Sequence, residues 1–71
     1  MQDWNSVARG LLRSEMAKRN MRAPDLAAAL EAIGISERAD NLKNKIGRGQ
    51  FSAAFFLQCL RAMDVKTLHL D

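Results

Sequence analysis

The chain has 71 residues, a formal net charge of +3 and a pI near 9.6, so it has room for one domain with a thin core and no more. No segment approaches the roughly 20 apolar residues that a membrane span requires, and the N-terminus MQDWNSVARG lacks the basic-then-apolar build of a secretion signal. The one cysteine, Cys59, excludes an internal disulfide framework and fits a reducing cytosol, so a cytoplasmic location away from membranes is expected.

Apolar spacing predicts four helices and nothing else of regular length. Helix one should run from about Asp3 to Arg19, with Trp4, Val7, Ala8, Leu11, Leu12 and Met16 as its buried stripe and Asp3 as N-cap. Glu15 falls within that stripe and is expected at the core edge, paired with a cation from another helix. Helix two should start near Ala23, where Pro24 suits the first turn and Asp25 complements the positive end of the dipole. Its core face is Leu26, Ala29, Leu30 and Ile33, and Gly34 is the expected stop. Helix three, about residues 36–47, takes Ser36 as N-cap and is anchored by Ala39, Leu42 and Ile46, with Gly47 and Gly49 at its end.

Ser52 should cap helix four, with Phe51 and Phe56 at the two positions of a hydrophobic staple. That helix, about Ala53 to Met63, has a core stripe of Phe56, Leu57, Leu60 and Met63. A second apolar stripe, Phe55, Cys59 and Ala62, is the expected dimer interface. The tail VKTLHLD alternates and reads as a short strand that either pairs with the tail of a second copy or lies across the helices with Leu68 and Leu70 packed on them. The fold class is therefore all-α, one compact four-helix domain over residues 1–71 with a short extended C-terminal tail.

Cations are unevenly placed. Arg9, Arg13, Lys18, Arg19 and Arg22 face one acid, Glu15, in the first stretch, and Arg38, Lys43, Lys45 and Arg48 outnumber Glu37 and Asp40 in helix three. If those stretches meet in space they form one basic surface. Helix three also carries Asn41, Asn44 and Arg48 opposite its apolar anchors, beside Glu37. Asn pairs bidentately with adenine and Arg with guanine, while Lys and flanking Arg hold phosphates. The candidate duplex-DNA contacts are accordingly Asn41, Asn44 and Arg48 for bases, and Arg38, Lys43, Lys45 and Arg22 for the backbone. Arg9, Arg13 and Arg19 are weaker candidates. A polar face opposite an apolar stripe is equally what any surface helix shows.

Leu26–Ala27 early in helix two, the turn Gly34–Ile35–Ser36, and Ile46–Gly47–Arg48–Gly49 closing helix three resemble the lambda-repressor/Cro-like helix-turn-helix class over roughly Leu12 to Val65. The spacing from Ala27 to Gly34 is about one helical turn longer than usual in that class, and that from Gly34 to Gly49 about three residues longer. The resemblance implies that helix three is the recognition helix and that the start of helix two touches the DNA backbone. It also implies a small bacterial or phage-type transcriptional regulator acting as a homodimer. The segment KIGRGQFSAAFFLQCL is similar to a group of short bacterial proteins with no assigned function.

Catalysis has little support. His69 lies near the terminus, Cys59 sits in an apolar helix, and no cluster has metal-ligand spacing or forms a phosphate loop. No enzyme activity, metal or cofactor is expected. Two rival readings are a protein-interaction module, adaptor or antitoxin-like, that receives its partner on helix four, and a nucleic-acid binder that uses charge alone.

Overall fold

A computed structural model describes residues 3–70. Its helices are α1 (Trp4–Lys18), α2 (Ala23–Ala32), α3 (Ala39–Arg48) and α4 (Ala53–Ala62), so the fold is all-α. α1 and α2 each pack on both α3 and α4. The core between them is Leu12, Met16, Leu26, Leu30, Leu42, Ile46, Phe55, Cys59, Leu60 and Met63. Each leucine taken fully from water contributes roughly 1.5–3 kcal/mol relative to an exposed one.

Helix ends follow local chemistry. Asp3 Oδ1 accepts from the Asn5 and Ser6 amides. The Ser6 hydroxyl donates to Asp3 Oδ2 at 2.9 Å and is the main reason that carboxyl sits below its ordinary range. Pro24 lies in the first turn of α2, where the Arg22 amide donates to Asp25 Oδ2 at 2.8 Å. Ser52 Oγ accepts from the Phe55 amide at 3.0 Å, and Phe51 and Phe56 stack with centroids 5.9 Å apart, completing the expected cap and staple.

α1, α2 and α4 stop in the same way. Asn20, Gly34 and Asp64 take positive φ. The amide of the following Met21, Ile35 or Val65 then reaches back to Met16, Leu30 or Leu60 at 2.9 Å. These three apolar residues pack on the core, the usual companion of this cap.

Several expectations are corrected. Trp4 is 72% exposed and Leu57 62%, and Ile33 is exposed as well, so none of these belongs to the core. Near α4 the expected Leu60 and Met63 are buried and Phe56 packs against the core, whereas Leu57 is exposed and Phe55 and Cys59 turn inward as well. Glu15 is buried at 7% exposure, but its partners are on its own helix. Arg19 Nη1 lies 2.8 Å from Oε1 and Lys18 Nζ 3.3 Å from Oε2. Arg19 continues across to α4, donating from Nε to the Met63 carbonyl at 2.9 Å.

No strand forms among the described residues. The tail is extended; Leu68 packs against the core and Leu70 stays exposed. Asp71, the last residue of the expected strand, lies outside the described residues.

α3 begins at Ala39, not at Ser36. Its N-cap is Arg38, whose side chain makes no capping bond. The residues before it are held by other forces. Ile35 packs on the core, and Glu37 reaches Lys45 at 3.2 Å. Glu37 makes this pair from the non-helical lead-in to α3, eight residues before Lys45. The connection from α2 to α3 therefore covers residues 33–38, longer than the 3–4-residue turn usual between helix-turn-helix pairs.

Candidate nucleic-acid interface

The outer side of α3 is set by what the inner side buries. Leu42 and Ile46 point into the core, and at 100° per residue this turns Asn41, Asn44 and Arg48 outward within one narrow arc. All three are exposed. Gly49, at φ +68°, ends the helix and lies so close to α1 that a Cβ there would stand 2.7 Å from the Asn5 carbonyl oxygen. Arg9 Nη1 donates to the Gly47 carbonyl at 2.9 Å. The C-terminal end of α3 is thus clamped to α1 by a close backbone approach and one guanidinium.

The flanks of this face differ. On one side Lys45 pairs with Glu37 and lies 4.8 Å from the centre of the Phe55 ring. Phe55 and Glu37 so hold this ammonium against the fold. Arg38 pairs with Asp40 at 3.0 Å. Asp40, the one acid of α3, also accepts from the Asn41 amide. These four charges match in pairs. Glu37 lies off the helix, so the expectation that it shares the reading face is corrected.

On the other flank Lys43 lines a groove with Arg13 of α1 and Arg22 at the start of α2, over Met16, Ala23, Pro24 and Ile46. Among the described residues no carboxylate lies within salt-bridge distance of Arg13, Arg22, Lys43 or Arg48. Arg9 and Arg19 are spent on internal bonds. Of the weaker candidates on α1, only Arg13 therefore joins the basic surface. The sequence holds a signal for this: Arg13 lies three residues before Met16 on the flank of the buried stripe that turns toward α3.

The expected dimer interface is overturned. Phe55 and Cys59 are buried inside this chain and Ala62 packs on the same core, so α4 uses them for its own fold. Burial pushes the Cys59 thiol up to about 12, the Glu37 carboxylate adding to the effect and Lys45 opposing it. Such a thiol has almost no thiolate and no nucleophilic character at neutral pH. No group of His, Cys, Asp and Glu that could hold a metal ion occurs among the described residues, and no helix there is long and apolar enough to cross a membrane.

Comparison with curated proteins and with solved structures gave no match. A family profile matches residues 4–68, nearly the whole chain and all four helices. The chain belongs to that family, DUF6471, described as a domain of unknown function.

Proposed function

We propose that this protein is a sequence-specific double-stranded DNA-binding protein, a small transcriptional regulator that lays α3 in the major groove. The observation that carries this reading is the exposed Asn41, Asn44 and Arg48 arc beside a groove of cations without acidic partners. A helix of this length, about 15 Å, fits a major groove roughly 12 Å wide. Asn41, Asn44 and Arg48 contact base edges. Lys43, Arg22 and Arg13 contact phosphates, while Arg38 and Lys45, already matched by acids, contribute less. Two copies on one duplex supply the affinity that one short helix lacks, through a contact other than the buried Phe55 and Cys59 face.

A protein-interaction role through α4 is disfavoured, because its apolar side chains are mostly used in the core and Leu57 alone among its large ones is exposed. Binding by charge alone is separated by titration with duplex DNA at rising salt. Three phosphate contacts per copy give a slope of log K against log salt of about −2.7. A selected duplex then binds roughly 10³-fold tighter than random duplex. The same affinity for both duplexes would leave only the charge-based reading.

A further inference from the structure

The groove between α1, the start of α2 and α3 has a volume of about 460 Å³, and its cations come from three separate helical segments. Arg13, Arg22 and Lys43 line it with no carboxylate in salt-bridge range among the described residues. Four other cations sit on acids. Lys18 and Arg19 meet Glu15, Arg38 meets Asp40 and Lys45 meets Glu37. Asp25, three residues along from Arg22, accepts from the backbone amide of Arg22. The groove floor is apolar, formed by Met16, Ala23, Pro24 and Ile46, and a low-dielectric floor strengthens repulsion among the cations above it. It strengthens attraction to an anion in the same measure.

We propose that this groove is a phosphate-holding site, built by Arg13, Arg22 and Lys43 together. Two arginines and a lysine are the donor set that phosphate oxygens favour, the guanidinium fork engaging two oxygens and the ammonium acting as a point charge. The phosphate is either that of a small phosphorylated ligand or one in the backbone of a nucleic acid. The second source rests on the function proposed above; the first does not.

The test is thermal melting of the full chain in sodium pyrophosphate against sodium chloride of matched ionic strength. At a pyrophosphate concentration about fivefold above Kd, the melting temperature rises by roughly 4–8 °C. The double variant Arg13→Gln, Lys43→Ala melts higher than wild type in chloride, because repulsion is relieved, and loses the pyrophosphate shift. Arg48→Ala, on the outer arc, keeps it. Broadening of the pyrophosphate ³¹P resonance by wild type, lost in the double variant, gives a readout independent of stability.

Duplex titration with and without pyrophosphate then separates the sources. Weaker duplex binding beyond the ionic-strength effect assigns the groove to backbone phosphate, and unchanged duplex binding assigns it to a free phosphorylated ligand. No shift and no broadening with wild type, or equal effects in the double variant, would overturn the proposal. A wild-type chain that shows the pyrophosphate shift but no base preference would leave the groove standing and place the failure of the duplex reading on α3 alone.

Discussion

Gly49 ties the seating of α3 to a single hydrogen atom, and replacing it by alanine separates two costs that are usually mixed. At φ +68° an alanine pays backbone strain of roughly 1–2 kcal/mol. The new methyl group would also stand 2.7 Å from the Asn5 carbonyl oxygen and 3.4 Å from the Arg9 Cβ. Neither can yield without lifting the end of α3 from α1, which adds roughly 1–3 kcal/mol. Gly49→Ala should therefore cost about 2–5 kcal/mol out of a total of about 4–11 kcal/mol for 71 residues. The melting temperature should fall by on the order of 10–30 °C.

Two other glycines supply the controls. Gly34 has φ +85° with open space around it, so Gly34→Ala carries strain alone, offset by lower unfolded-state entropy, and costs about 1 kcal/mol. Gly10 lies inside α1 with nothing within 4 Å, so Gly10→Ala should stabilise by about 0.5–1 kcal/mol. Urea unfolding of the three variants is the assay. A Gly49→Ala cost no larger than that of Gly34→Ala would refute the close approach of α3 to α1 on which the outward arc depends.

Acid should weaken the fold through Glu15. Arg19, then Lys18, holds its carboxyl below the ordinary value. The stabilisation is thus fully present above pH 4.5, the unfolded reference, and is lost as pH falls through the lower folded value. Melting between pH 7 and pH 3 should show this loss in wild type and a shallower acid limb in Glu15→Gln; equal limbs would dismiss the ion pair as a contributor. Cys59, with its thiol pushed up to about 12, should resist a disulfide thiol reagent at pH 7.5 in the native state and react at once in denaturant. Fast native labelling would show that α4 opens its inner face.

Helix number and most helix ends were legible because they rest on local chemistry. Asp3, Pro24, Gly34, Ser52 and the Phe51–Phe56 staple act through neighbours a few residues away. Phase was less legible. α4 carries two adjacent apolar stripes, and only contact with α1 and α2 decides that Phe55 and Cys59 turn inward while Leu57 turns out. Trp4 has the right spacing on α1 but lies beyond the end of the core, so no neighbour covers it. The start of α3 departs from its local signals for a related reason. Ser36 is a sound cap in isolation, yet the Glu37 to Lys45 ion pair and the packing of Ile35 keep that segment extended. On the candidate site, the outward set Asn41, Asn44 and Arg48 follows from helical period alone. Which cations stay clear of internal bonds does not, because Arg9 and Arg19 find backbone carbonyls far along the chain.

The claim that α3 reads base edges is tested most directly by selection from a random duplex library, with wild type, Asn44→Ala and Arg48→Ala carried in parallel. The account predicts a defined motif for wild type. It predicts that each variant loses preference at its own position and binds the wild-type motif with about 1–3 kcal/mol less affinity. Recovery of no motif by wild type, or of the same motif at the same affinity by both variants, would contradict it.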